Sequence, residues 1–161
     1  MVEMELTRIL IAENREGQII VLKEKTGERA FPIVIGFFEA AAIDRHVKEV
    51  PSPRPLTHDL LRSVITGMGG TLERVCVTDL RESTFFGRLD IKRGEEIIEV
   101  DSRPSDAIAL AVLANAPIFV AEHVLDEVCG SGGFDLNDLP SLGDESGEEG
   151  EEPDTPGEQE K

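Results

Sequence analysis

Two short polar segments of the chain hold most of the residues that could do chemistry. The first is Arg54-Pro-Leu-Thr-His-Asp59 and the second is Asp101-Ser-Arg-Pro-Ser-Asp106. In both, an Arg-Pro pair is followed by a hydroxyl residue and an aspartate, next to a predicted helix start. Free backbone N–H groups at a helix start can bind an anion, and arginine can bind phosphate through two parallel hydrogen bonds. The residues expected to bind a substrate phosphate are Arg54, Arg103, Ser102 and Ser105.

The acidic residues and the histidine of these segments indicate a second kind of chemistry. Several carboxylates together can hold Mg²⁺ or Mn²⁺, and a histidine can act as a general base on water. The expected catalytic residues are His58, Asp59, Asp101 and Asp106. The expected ligands of a divalent metal cofactor, Mg²⁺ or Mn²⁺, are Asp101, Asp106, Asp59 and Glu39.

Helix capping explains part of the same composition. Thr57 and Ser102 are suitable N-caps, and the aspartates would face the positive ends of helix dipoles. Either arginine could also be a buried partner of an aspartate such as Asp101. Capping suffices for any one residue taken alone, whereas the whole set, concentrated in two short stretches, favours a functional site.

Hydrophobic periodicity predicts two successive units of three strands and a helix. The predicted strands are residues 5–12, 19–23, 31–35, 73–80, 85–92, 97–100 and 118–120, and the predicted helices are residues 37–49, 58–68, 105–115 and 122–128. These elements indicate an α+β fold with a mostly antiparallel sheet, packed helices and an internal duplication. An offset of 67 residues places Glu39 on Asp106, each at a helix start. The strands at the two ends of segment 97–120 are expected to form a parallel pair.

Charge and composition constrain the partners. The chain of 161 residues has a net charge of −17, seven Phe and no Trp or Tyr. Nucleic-acid-binding proteins usually present a basic surface, and single-strand binders usually stack bases on aromatic rings. A reaction on a polyanion would therefore need local arginines or a metal ion. The two cysteines lack metal-site spacing, and no apolar run is long enough to span a membrane. The cytoplasm is the expected compartment.

The composition changes near the C-terminus. Ten acidic residues and one basic residue lie between Asn137 and Lys161, so this segment carries −9 of the net charge. We predict a folded domain over residues 1–132 and a disordered acidic tail over residues 133–161.

The polar segments occur within a wider pattern that resembles a known family. The pattern comprises Phe31-Pro-Ile-Val-Ile-Gly36 with Glu39-Ala40, Pro53-Arg-Pro-Leu-Thr-His-Asp-Leu60, Asp101-Ser-Arg-Pro-Ser-Asp-Ala-Ile-Ala-Leu110 and Ala116-Pro-Ile-Phe-Val120. In this order, over about residues 4–130, it resembles the bifunctional nuclease domain. The resemblance implies an α+β fold, a homo-oligomer and activity on both RNA and DNA. It does not assign roles to individual residues.

Two hypotheses follow from the polar segments and the resemblance. In the first, the chain is a metal-assisted nuclease whose arginines hold phosphate and whose His58 activates or orients water. In the second, it is a non-enzymatic module that binds a small anion or a protein partner. The polar segments and the resemblance make the nuclease the leading hypothesis. The acidic composition and the scarcity of aromatic residues favour the alternative.

Overall fold

Two three-stranded meanders, each followed by a helix, make up most of the computed structural model, which describes residues 1–11 and 17–130. The first meander comprises β1 (Val2–Leu10), β2 (Gln18–Glu24) and β3 (Ala30–Ile35), and helix α1 (Phe37–Val47) follows it. Helix α2 (Thr57–Gly67) connects the two halves. The second meander comprises β4 (Thr71–Arg81), β5 (Thr84–Arg93) and β6 (Glu96–Ser102), followed by α3 (Pro104–Ala114), β7 (Ile118–Val120) and α4 (Glu122–Cys129).

All seven strands form one sheet in the order β3-β2-β1-β7-β4-β5-β6. The two meanders therefore lie on either side of the short central strand β7. Every pairing is antiparallel except the one between β4 and β7. This arrangement confirms the predicted α+β class and the predicted repeat of three strands and a helix.

The predicted parallel pair exists, but one of its two strands is different. β7 pairs in parallel with β4, where Val75 is opposite Ile118, and not with β6. β6 is the last strand of the sheet, and α3 packs across β4 and β5. The chain thus returns past two strands before β7 adds to the sheet. The prediction failed here because the order of elements along the chain does not specify which strands become neighbours.

The core is aliphatic and lies between the sheet and helices α1, α3 and α4. Its largest fully buried side chains include Phe31, Leu22, Ile43, Ile108 and Leu110. Helix α3 is buried along most of its length because it packs on both the sheet and α1. The described helices are all too short to cross a membrane.

Helix α2 differs from the other three helices. Its pattern predicted an apolar face on Leu60, Leu61, Val64, Ile65 and Met68. In the structure α2 contacts α3 and β4, but none of its residues is fully buried. Only Ile65 of that face is half-buried, and Leu60, Val64 and Met68 are 57, 46 and 68% exposed. The predicted acidic tail, residues 133–161, lies outside the described residues.

Candidate active site

Three helices carry an acidic residue at the same position of their first turn. Glu39, Asp59 and Asp106 are the third residues of α1, α2 and α3, respectively. A negative charge at this position is stabilised by the helix dipole. The internal repeat therefore places Glu39 and Asp106 equivalently, as the 67-residue offset predicted.

The predicted N-caps are wrong at both polar segments. Thr57 is the first helical residue of α2, which follows Leu56, and Ser102 is the last residue of β6. Residue Arg103 precedes α3 without a capping side-chain hydrogen bond. At α2, Asp59 Oδ2 accepts a hydrogen bond of 2.9 Å from the Leu56 backbone N–H. The Asp59 carboxylate, inside the helix, thus reaches back to the backbone N–H of the N-cap residue and fixes the start of α2.

Arg103 joins the starts of α1 and α3. Its Nε donates to Asp106 Oδ2 at 2.8 Å, and its Nη2 donates to Glu39 Oε1 at 2.6 Å. The other oxygen of Asp106, Oδ1, lies 3.1 Å from His58 Nε2 of α2. These four residues, Glu39, His58, Arg103 and Asp106, are called the Arg103 network below. The hydrogen bonds to Asp106 and Glu39 raise the pKa of Arg103, so the guanidinium remains charged.

A glycine allows α3 to begin where it does. Gly87 of β5 is opposite Ser102 of β6, and a Cβ atom at Gly87 would lie 2.9 Å from both Pro104 N and Ser102 O. Both contacts are to backbone, which a side-chain rotation cannot relieve. The absence of a side chain at Gly87 therefore allows the close approach of the backbone next to Arg103 and Asp106.

His58 is oriented by Asp106. Because a carboxylate oxygen accepts, the contact with Asp106 requires a proton on Nε2 of His58, which leaves Nδ1 as the basic atom of the neutral ring. The His58 side chain is only 12% exposed. A histidine held in one tautomer by a carboxylate is the arrangement that general-base catalysis uses.

The Arg103 network forms one wall of a cleft of about 690 Å³ between α1 and the start of α2. Its other walls are mostly apolar and include Phe38, Leu56 and Leu60. The cleft can therefore accept a ligand that combines an anionic group with an apolar or planar part.

A second polar cluster lies beside the cleft and was not predicted from the sequence. Arg45 Nη2, at the end of α1, donates to Asp59 Oδ2 at 3.0 Å and lies 3.0 Å from His46 Nε2. Burial, followed by the positive charge of Arg45, lowers the pKa of His46, so this ring is neutral at physiological pH. Burial raises the pKa of Asp59, but the hydrogen bond from the Leu56 N–H and the charge of Arg45 together lower it by more than burial raises it. The pKa of Asp59 therefore lies below its usual value. Asp59 is thus paired with Arg45 and lies outside the Arg103 network.

The remaining predicted site residues lie apart from the network. Asp101 is exposed on β6 opposite Arg88, and Arg54 is exposed in the loop before α2. Ser105 is buried in the first turn of α3. The Ser102 hydroxyl is buried without a hydrogen-bond partner among the described residues. Of the eight residues in the two segments that were expected to act together, the structure brings His58, Arg103 and Asp106 into contact, with Glu39 added from α1.

The same geometry bears on the expected metal ion. Within residues 1–11 and 17–130, no group of three His, Cys, Asp or Glu side chains is placed to hold a metal. The guanidinium of Arg103 already occupies the position between the Glu39 and Asp106 carboxylates. A divalent cation fits this pair only when Arg103 moves away. The Arg103 side chain is 66% exposed, so such a movement would disrupt little packing.

Comparison with known proteins identifies a matching family. A sequence model described as the bifunctional nuclease domain matches residues 20–131. The uncharacterized protein Rv1829 of Mycobacterium tuberculosis strain H37Rv is 41% identical over 123 residues, which cover 76% of this chain and 73% of the relative.

Two plant relatives carry names that describe an activity. Bifunctional nuclease 1 of Oryza sativa subsp. japonica is 28% identical over 109 residues, or 65% of this chain and 33% of the rice protein. The Arabidopsis thaliana protein of the same name is also 28% identical over 109 residues, with 34% of its length covered. The chain thus matches about a third of each plant protein.

Proposed function

Because the chain belongs to the bifunctional nuclease domain family, we propose that it is a nuclease that hydrolyses phosphodiester bonds of RNA and DNA at the Arg103 network. The observation that carries this proposal is the sharing of Asp106 between His58 and Arg103 at the wall of an open cleft. A general base and a phosphate-binding cation are thereby held by one carboxylate. The names of the plant relatives support the same activity.

His58 supplies the base in this proposal. Its Nδ1 removes a proton from a water molecule, whose oxygen attacks the phosphorus atom. The bond from phosphorus to the leaving oxygen breaks, and that oxygen takes up a proton from solvent, to which His58 later returns its own. Asp106 keeps the ring oriented and stabilises the imidazolium that forms. A positioned base of this kind contributes about 10²- to 10⁴-fold to a rate.

Arg103 supplies the positive charge next to the phosphate. Its Nε and Nη2 are used by Asp106 and Glu39, and no described residue pairs with its Nη1. Because the N–H groups of Nη1 are free, Arg103 is the proposed phosphate ligand. Arg45 at the same cleft and Arg54 in the adjacent loop are further cations that can contact a phosphate. Local arginines are needed because the chain as a whole, at −17, repels nucleic acid.

We further propose that a divalent metal, Mg²⁺ or Mn²⁺, takes part in this reaction. Glu39 and Asp106 would hold the metal once they release Arg103, whose exposed side chain would keep its contact with the phosphate. The metal would supply charge neutralisation and polarise a phosphate oxygen. The acidic character of the chain supports this part of the proposal, since two or three arginines offset little of a net charge of −17.

The proposal is tested with purified full-length chain and end-labelled RNA and single-stranded DNA, each with and without EDTA. Cleavage of both substrates is expected, with loss of cleavage in EDTA. His58→Ala and Asp106→Asn should each lower kcat by at least about 100-fold, since the first removes the base and the second removes the carboxylate that orients it. Asp101→Asn is the matched control, because Asp101 lies outside the network and should retain activity within a few-fold.

Three results would contradict this account: no cleavage by the wild-type chain, activity that survives in both His58→Ala and Asp106→Asn, or an equal loss in Asp101→Asn. Cleavage that persists in EDTA would contradict only the metal. Cleavage that remains in all variants purified in parallel would reveal a contaminating nuclease.

A second function is supported by one observation. The exposed side chain of Arg103, held in place by Glu39 and Asp106, faces the cleft and could bind a small anion without turnover. Under this alternative, phosphate or a mononucleotide raises Tm of the wild-type chain, Arg103→Ala abolishes the increase, and no RNA or DNA is cleaved.

A further inference from the structure

Helix α2 exposes a continuous apolar surface. Leu56, Leu60, Val64 and Met68 follow one another at intervals of four residues from the N-cap position to the C-cap position, and Leu61 lies beside them. These five residues, called the α2 ridge below, are between 38 and 68% exposed. No residue of the helix is fully buried, although its apolar and polar residues are clearly segregated.

An amphipathic helix normally turns its apolar side towards the core of its own chain. Helix α2 instead contacts α3 and β4 through half-buried residues such as Ile65, and its most apolar side faces outward. The surface extends beyond α2, because Leu56 and Leu60 line the cleft together with Phe38 of α1, which is 81% exposed. A contiguous apolar surface of this kind marks an interaction site.

The distribution of charge favours a second copy of the chain as the partner. Helix α2 contains one acidic residue, Asp59, which is paired with Arg45, and one basic residue, Arg62. It is therefore close to neutral in a chain of net charge −17. Two copies can approach through α2 without placing like charges in contact, whereas a basic partner would be attracted to the acidic parts of the surface.

The shape and size of the ridge suit the same partner. Side chains spaced by four residues form a ridge that packs into the grooves of another such helix, and two-fold symmetry pairs the same patch on both copies. Stable interfaces bury roughly 600–1,000 Å² per partner, and the five ridge residues and Phe38 can supply the apolar centre of an interface at the lower end of that range.

We propose that the chain forms a homodimer in which the α2 ridge of one copy packs against the α2 ridge of the other. Because Leu56, Leu60 and Phe38 belong both to this surface and to the cleft, the two clefts lie next to the interface. Each copy then helps to shield the cleft of the other from solvent. This proposal does not depend on nuclease activity.

Sedimentation velocity of the full-length chain, over about 1 to 100 μM, tests the proposal in the range where micromolar dimers dissociate. The wild-type chain should sediment with about twice its chain mass of 17.6 kDa at the upper end. Leu60→Glu and Val64→Glu should each be monomeric across the range, with an unchanged far-UV circular dichroism spectrum, because neither side chain is buried within one copy.

Val34→Glu is the matched control. Val34 is also apolar and exposed, at 69%, but it lies on the edge strand β3, whereas α2 packs on α3 and β4. This variant should dimerise like the wild-type chain. A wild-type chain that is monomeric at about 100 μM would overturn the proposal. Folded Leu60→Glu and Val64→Glu variants that both remain dimeric, or a Val34→Glu variant that dissociates equally, would overturn it as well.

Discussion

At the residue scale, arginines decide what each carboxylate can do. Arg103 holds Glu39 and Asp106 at the cleft, whereas Arg45 holds Asp59 beside it. An aspartate that is neutralised by a half-buried arginine and also accepts a backbone N–H is not free to bind a substrate. We therefore interpret Asp59 as a residue that fixes the start of α2 and thereby positions its neighbour His58.

This interpretation predicts that Asp59 contributes to stability. Asp59→Ala removes the acceptor of the Leu56 N–H and leaves Arg45 without its partner. We expect the free energy of unfolding to fall by about 1–3 kcal/mol in urea denaturation, since both lost contacts are partly shielded from solvent. Asp44→Ala is the matched control. It removes the more exposed pair with Lys48 of the same helix α1 and should cost less than about 0.5 kcal/mol. Equal, small losses in the two variants would contradict the structural role of Asp59.

At the scale of elements, the site depends on how closely α3 approaches the sheet. Residues Ser102 to Pro104 pass directly over Gly87 of β5. Since Arg103 and Asp106 belong to this turn and the first turn of α3, a change in the strand beneath them moves the network without touching any of its members.

We accordingly predict that Gly87→Ala impairs both stability and activity. The added methyl group meets backbone atoms at 2.9 Å, so the start of α3 must shift, at a cost of about 1–3 kcal/mol. A nuclease assay on the folded variant should show a lower kcat. Gly67→Ala near the end of α2 is the matched control, because its Cβ meets no other atom within 4 Å. It should stabilise the chain by about 0.5–1 kcal/mol and leave kcat unchanged. A Gly87→Ala variant with wild-type stability and kcat would show that the close approach is not required.

At the scale of the whole molecule, the acidic charge limits how nucleic acid can bind. A net charge of −17 favours phosphate contacts at the few arginines around the cleft over contacts with an extended basic surface. Arg103 and Arg45 are at the cleft, and Arg54 is in the adjacent loop. Binding should therefore depend only weakly on salt.

The salt dependence of binding can be estimated from the number of arginines at the cleft. For three arginines and a single strand, log K against log salt concentration should have a slope no steeper than about −2. Fluorescence anisotropy of a short labelled single strand, with Asp106→Asn to prevent cleavage, measures it. Arg103→Ala in this background should make the slope shallower by about 0.7, whereas Arg81→Ala should not change it, because Arg81 pairs with Asp79 away from the cleft. A slope much steeper than −2 would indicate a larger basic surface than three arginines provide.

The sequence by itself determined the elements and their repetition. Strands alternate apolar and polar residues, helices carry apolar residues every three to four positions, and both patterns arise from local backbone geometry. The predicted elements therefore match β1 to β7 and α1 to α4 in type and order, with ends displaced by up to three residues. The matched positions of Glu39 and Asp106 follow from the same repetition. The polar segments likewise identified His58, Arg103 and Asp106 before their contacts were known.

Only the tertiary structure decided which of those residues meet and which surfaces remain exposed. The contacts of His58 with Asp106 and of Arg103 with Glu39 span 48 and 64 residues, and they result from the packing of three helices on one sheet. The sequence predicted Asp101 as a catalytic residue and metal ligand in the same way as Asp106, yet Asp101 lies on β6 apart from the Arg103 network. It also predicted an apolar face on α2 without showing that the face points outward. Periodicity specifies which side of an element is apolar, but what that side packs against depends on elements that are distant along the chain.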